Sequence, residues 1–236
     1  MIGLILAAGD NVRIADDLDC PSKVLVPIGG RSLILRDMDL MSTIVDQFIV
    51  VVGKAGEYIR HEILMSEYSD RTLFVIQNVA TGTLDAIKTA LPYIYEDVFL
   101  VLGDELLIDD KLRSMANDFQ TKDVGISVGI IPNSDDSLIR DAYAMHYNNG
   151  FIDLFIEKPK IIFNKDRGTG FYMIKKDVFQ LLSEIDPVKK DVVDLFNHAL
   201  RKGFKATSFK VAEDEYNINT IDHLKKAEKA FENWKR

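Results

Sequence analysis

Apolar positions along the chain fall into two rhythms. Residues 2–8 and 98–102 are continuous apolar runs, and 48–52 is apolar and β-branched, ended by Gly53. Such runs fit parallel strands covered on both faces. A further strand is predicted at 72–76. Between the strands, 32–44, 57–67 and 82–91 read as helices. Alternating strand and helix predicts a parallel sheet clad on both sides. Ligands on such sheets bind beyond the carboxyl ends of the strands. The turn after residue 8, the loop from Gln77 and Asp104 all fall at such ends.

Beyond residue 131 the rhythm changes. Residues 124–131, 142–147 and 151–156 are strand-like, with Asn148-Asn149-Gly150 as a hairpin turn. Another strand is expected at 170–174, helices at 177–185 and 192–202, and a strand at 205–211. A last helix spans 221–234, with Thr220 as its N-cap. No repeat, low-complexity tract or linker interrupts the chain, so one domain over 1–236 is expected, with a change of role near residue 131.

Composition narrows the class. At 236 residues, 47% hydrophobic and 28% charged, the chain can bury a sizeable core and is unlike a disordered one. A net charge of −8 leaves no basic face for nucleic acid or an anionic membrane. One cysteine, Cys20, excludes an internal disulfide framework and fits a reducing compartment; it reads as an incidental small residue. Neither a signal peptide nor a bilayer-spanning run is visible, so a cytoplasmic protein is expected. The four histidines lack metal-ligand spacing; His61, His198 and His223 fall within predicted helices.

The candidate chemistry begins in the first turn, Leu6-Ala7-Ala8-Gly9-Asp10-Asn11-Val12-Arg13. Ala7, Ala8 and Gly9 let backbone approach a ligand closely, and successive loop N–H groups can cradle phosphate oxygens. Arg13 adds a cationic fork suited to phosphate, and Lys23 a second cation to balance a triphosphate. Gln77 carries both a donor and an acceptor, as reading a base edge requires. Gly82 offers backbone groups at a helix start, where Asp85 is a favourable charge. Asp104 ends a buried strand, where a hard oxygen suits Mg²⁺ bridging nucleotide phosphates. Its neighbour Glu105 reads as a surface residue.

Leu-Ala-Ala-Gly, then Arg13, then Lys23 ten positions on, resembles the signature of the sugar-phosphate nucleotidyltransferases, with Asn11 in place of the usual second glycine. Asn tolerates positive φ better than most residues. The resemblance extends to Gln77 with Gly82-Thr83-Leu84-Asp85-Ala86, to Gly103-Asp104, to Glu157-Lys158-Pro159 and to Gly170-Phe171-Tyr172. It implies that Leu6, Ala7, Ala8, Gly9, Gln77, Gly82 and Thr83 bind the nucleotide, with Gln77 facing uracil or thymine. Arg13, Lys23 and Lys158 would be the catalytic cations, Lys158 placing the sugar phosphate. Glu157 would hold sugar hydroxyls, Gly170 and Tyr172 would line the sugar pocket, and Ala144 stands where a glycine backbone usually faces the sugar. Asp104 would hold Mg²⁺. Asn217 and Asn219 replace the usual second carboxylate: Asn217 is the second ligand by direct alignment, Asn219 by the wording of molybdenum-cofactor guanylyltransferases.

The resemblance also implies a Rossmann-like, three-layer α/β/α domain with a mixed, mostly parallel sheet and a small β-rich sugar-binding part. Residues 1–131 would form the nucleotide half and 132–236 the sugar-phosphate half. The implied partners are a nucleoside triphosphate and a sugar 1-phosphate, with no nucleic acid and no membrane; a homo-oligomer is allowed. Two rivals stand beside this reading. One is a cytidylyl- or guanylyltransferase for another phosphorylated small molecule, such as phosphocholine or an inositol phosphate. The other is a catalytically silent relative that binds nucleotide sugar and regulates a partner.

Overall fold

A computed structural model describes residues 1–9, 18 and 20–235. The first half runs β1 (Ile2–Ala7), a short hairpin of β2 (Pro27–Ile28) and β3 (Arg31–Ser32), α1 (Leu33–Met41), β4 (Gln47–Val52), α2 (Gly56–Leu64), β5 (Thr72–Ile76), α3 (Thr83–Ala90) and β6 (Val98–Val101). The chain continues with β7 (Glu105–Ile108), α4 (Leu112–Thr121), β8 (Ile126–Ile131), α5 (Asp136–Asp141), β9 (Tyr143–Asn148), β10 (Phe151–Glu157) and β11 (Arg167–Ile174). It ends with α6 (Val192–Arg201), β12 (Ala206–Lys210), β13 (Asp214–Asn217) and α7 (Ile221–Lys235). The segment expected as a helix at 177–185 is a tighter 3₁₀ coil, Lys176–Glu184.

Nine strands form one sheet in the order β5-β4-β1-β6-β11-β8-β12-β10-β9. Only β11 and β10 run against the rest, so the sheet is mixed and mostly parallel. Every residue of β1, β6 and β11 is buried, as strands covered on both faces must be. One face packs on α3 and α6 through Leu84, Ile87, Val192 and Phe196. The other packs on α1, α2 and α4 through Ile34, Met38, Ile59, Met115 and Phe119. At one edge, β10 meets β12 at a single register position. There the Asn197 side chain stands in for strand, accepting from the Phe155 N–H at 2.9 Å and donating to its carbonyl at 2.8 Å. The β9–β10 turn places Asn149 and Gly150 at φ 51° and 81°, the left-handed pair such a tight hairpin needs.

A separate two-stranded ribbon pairs β7 with β13, antiparallel, aligning Glu105 with Asn217. It carries its own core of Leu106, Ile108 and Ile218 against Leu224, Ala227 and Phe231 of α7. This overturns the surface expectation for Glu105. The residue is only 7% exposed, and its Oε2 accepts the Gly170 N–H of β11 at 2.7 Å. Beside it, Arg167 of β11 forms a buried ion pair with Glu215 of β13. Burial, then the Glu215 and Asp104 charges, hold the Glu105 carboxyl well above the ordinary range.

Breaking a buried pair leaves one charge stranded, whereas replacing both partners with apolar groups can be near neutral. Arg167→Ala is expected to cost about 3–5 kcal/mol. Arg167→Met combined with Glu215→Leu should cost clearly less than that. Urea unfolding of the wild type and the variants compares them; a single variant as stable as the wild type would show that the pair does not fasten the ribbon.

Candidate active site

The carboxyl ends of β1, β5 and β6 open into one cleft of about 390 Å³. Leu6, Ala7, Ala8 and Gly9 form one wall, Gln77, Ala80, Gly82 and Thr83 another, and Lys23 with Asp104 the floor. The backbone is crowded behind the first wall: a Cβ on Gly53 would stand 2.7 Å from the Ala8 carbonyl oxygen. Gly82 caps α3 with φ 126° and ψ 174°, a region closed to other residues. A Cβ there would also meet the Lys190 carbonyl at 2.6 Å. Thr83 is stitched to the same segment. Its hydroxyl donates to Lys190 O at 3.3 Å and accepts from Val192 N–H at 2.9 Å.

Gly103, at φ 76°, turns the chain out of β6 and delivers Asp104. Lys23 Nζ donates to Asp104 Oδ2 and, at 3.0 Å, to Asn219 Oδ1. Asn219 in turn donates to Asn217 Oδ1 at 2.5 Å. The β7–β13 ribbon makes this possible, because it lays residues 217–219 beside the end of β6; Ile218 N–H donates to the Asp104 carbonyl at 3.0 Å. Both Asn217 and Asn219 thus join Lys23 and Asp104 in one cluster. Two oxygens that meet one ammonium can also meet one metal cation, and a carboxylate with an amide oxygen is a donor set that suits Mg²⁺. Among the described residues no group of three or more His, Cys, Asp or Glu forms a metal cluster.

Gln77 is 6% exposed, and its N–H donates to Val52 O at 2.9 Å, at the end of β4. Its Nε2 donates to Asp85 Oδ2 at 2.7 Å. Asp85 is therefore a partner of Gln77 and not only a charge at a helix start. Sequence reasoning missed this role, although the two side chains lie eight positions apart across a strand-to-helix turn. It also missed Asp37 of α1, fully buried with Oδ2 unpartnered among the described residues. Burial first, and the Asp104 and Asp39 charges next, hold its carboxyl well above the ordinary range.

The second-half residues are placed differently. Glu157 ends β10 and Lys158 follows it, exposed, with φ 46° and its N–H on the Ala142 carbonyl at 2.8 Å. Desolvation and the Asp191 charge, opposed by Lys158, push the Glu157 carboxyl up to about 7. Ala144 is wholly buried. Gly170 has both backbone groups engaged, its N–H by Glu105 and its carbonyl by Leu102 N–H at 3.1 Å. Tyr172 is 1% exposed and its ring packs between those of Tyr143 and Phe196, while the Tyr143 hydroxyl donates to the Thr169 carbonyl at 3.2 Å. Gly170 and Tyr172 support the sheet, since β11 lies between β6 and β8 with every residue buried, whereas Ala144 lies on the edge strand β9. Arg13 and Asn11 lie outside the described residues.

Comparison with known proteins agrees with this architecture. A bifunctional protein GlmU of Methanococcus maripaludis is 26% identical over 204 residues, covering 86% of this chain and 46% of that protein. The chain thus spans about half the length of such curated relatives. A Bacillus anthracis protein assigned as a glucose-1-phosphate thymidylyltransferase, solved with sucrose, superposes with a TM-score of 0.85 at 22% identity, covering 97% of this chain and 94% of that one. The inositol-1-phosphate CTP transferase of T. maritima gives 0.80 at 20% identity, covering 100% and 96%. At such identities the likeness is one of fold. The family model described as Nucleotidyl transferase matches residues 2–232, nearly the whole sequence, and the chain belongs to that family.

Proposed function

We propose that the chain joins a nucleoside triphosphate, UTP or dTTP, to a sugar 1-phosphate, releasing pyrophosphate and forming a nucleoside-diphosphate sugar. The observation that carries this reading is Lys23 and Asp104 on the floor of a cleft walled by Gly9 and Gln77, with Asn219 bonded to Lys23 and Asn217 to Asn219. A phosphate oxygen of the sugar 1-phosphate attacks the α-phosphorus; the new P–O bond forms as the α–β bridging bond breaks and pyrophosphate departs. The nucleophile is already an anion, so positioning and charge neutralisation supply the catalysis. Asp104, with the amide oxygen of Asn219 or Asn217, would hold Mg²⁺, which when bound would offset charge on the nucleotide phosphates. Lys23, now bonded to Asp104, would turn to the α-phosphate and leaving group, and Arg13 to the outer phosphates. Lys158 and Glu157, at the end of β10, would receive the phosphate and hydroxyls of the sugar. Pyrophosphate release across all nucleoside triphosphates, with a panel of sugar 1-phosphates, phosphocholine and inositol phosphate, tests the reading. No release with any pair would favour a silent regulatory relative.

Two variants address the cleft floor. Asp104→Ala should abolish turnover while leaving thermal unfolding near wild type, because its carboxylate ends a strand and serves no core contact. Full activity with Mg²⁺ would remove Asp104 from the mechanism. Lys23→Ala should lower kcat by roughly 10²-fold or more, the scale for removing one group that stabilises developing charge.

The pH profile addresses Glu157. Its carboxyl is ionised above about 7 and protonated below, so acceptance from sugar hydroxyls weakens as pH falls. KM for the sugar phosphate should rise roughly 10-fold from pH 8 to pH 6, since tenfold protonation accompanies each pH unit below the pKa. Glu157→Gln should flatten that limb, leaving only the substrate phosphate's own ionisation; an unchanged limb in Glu157→Gln would detach it from Glu157.

A further inference from the structure

We infer that Asp85 sets the choice between pyrimidine bases by locking the side-chain amide of Gln77 in one orientation. The inference rests on the proposed function, because it concerns how that cleft reads its nucleotide. A glutamine amide is nearly symmetric in shape, and in an open site it can turn over to exchange its oxygen and nitrogen. Here Nε2 faces Asp85 Oδ2 at 2.7 Å. Hydrogen bonds from Gln77 and Thr81 hold the Asp85 carboxyl below its ordinary range, so it stays ionised. An ionised carboxylate only accepts. Turning the amide over would set two acceptors face to face beside a buried residue, so the flip is closed. The backbone on each side is fixed as well: Gln77 N–H is held by Val52 O, and Asp85 sits in the first turn of α3.

With one Nε2 hydrogen committed to Asp85, Gln77 offers the cleft its Oε1 and its other Nε2 hydrogen, in a fixed left–right order. Uracil and thymine present a donor at N3 beside an acceptor at O4. Cytosine presents an acceptor at N3 beside a donor at N4. The two edges are opposite at both positions, so one amide pose can satisfy only one of them for a base held in a given place. A mismatched base leaves buried polar groups facing like groups, the type of rejection that hydrogen-bonding sites achieve most strongly. The lock thus turns an amide able to read either edge into one that reads a single edge, which on the proposed function is that of uracil or thymine.

The test compares kcat/KM for UTP and CTP, read by pyrophosphate release with a saturating sugar 1-phosphate, in the wild type, Asp85→Asn and Asp85→Ala. Asparagine can face Gln77 with either an acceptor or a donor, so it permits both amide poses. The wild type should prefer UTP. In Asp85→Asn the UTP:CTP ratio should fall about 10-fold or more, mostly through KM for the nucleotide. Turnover of CTP should rise in absolute terms, which a merely structural role for Asp85 would not produce. Asp85→Ala should also lower the ratio, with weaker binding of both nucleotides. An unchanged ratio in Asp85→Asn would overturn the lock while leaving the proposed function intact. Should the wild type release pyrophosphate with no substrate pair, the proposed function fails. Calorimetric Kd values for UTP and CTP then decide the lock by the same ratio, an unchanged value in Asp85→Asn again overturning it.

Discussion

The cleft depends on a fastening made several residues behind it. The β7–β13 ribbon shares no ladder with the main sheet; it is tied to β11 by the buried Arg167–Glu215 pair and by Glu105 accepting from Gly170. Two strands joined only to each other are marginal in water, and this ribbon holds Asn217 at the end of β13 and sets the place of Asp104 and Asn219, which flank its strands. A buried ion pair adds little net stability over apolar packing, but its geometry is demanding. Here that demand fixes where the ribbon sits, and therefore how far Asn217 and Asn219 stand from Asp104.

Three carboxyls, of Asp104, Glu105 and Glu215, lie near one another, while Arg167 and Lys23 supply the positive charge bonded to them. Beyond burial, the Asp104 charge raises the proton affinity of Glu105, Glu215 and Asp37. Asparagines at 217 and 219 bring side-chain oxygens to this cluster without adding negative charge. The departure from an acidic pattern in this stretch therefore has a local electrostatic reason.

Much of this was legible in the sequence, for identifiable reasons. Continuous apolar runs mark β1, β4 and β6 because both faces of those strands are covered, and a chain leaving such strands must turn at the cleft. That is why Gly9, Gln77 and Asp104 could be placed before any coordinates. The ribbon was illegible because its decisive residues, Glu105 and Glu215, are charged, and a charged residue in a short segment reads as surface. α4 was legible in principle: Leu112, Met115, Ala116 and Phe119 have helical spacing and are all buried. Gly170 and Tyr172 sit in a motif that resembles the sugar-phosphate nucleotidyltransferases, yet motif wording does not say which face of a strand is open. In β11, between two neighbours and beneath helices, neither face is.

The ribbon also imposes an order of assembly. Lys23 reaches Asp104 across 81 residues but Asn219 across 196. The alternating strands and helices of the first half close through short local crossovers, whereas the β7–β13 ladder must bring a segment near residue 217 back to the middle of the chain, about a hundred residues away. Long closures are entropically late events in folding, and during synthesis the amino-terminal part emerges first. The end of β1 and the loop from Gln77 can thus be formed while residues 214–219 are still unplaced. The Lys23–Asp104–Asn219–Asn217 cluster is completed only when the ribbon docks, so an immature chain would hold the walls of the cleft without the full polar cluster beside them.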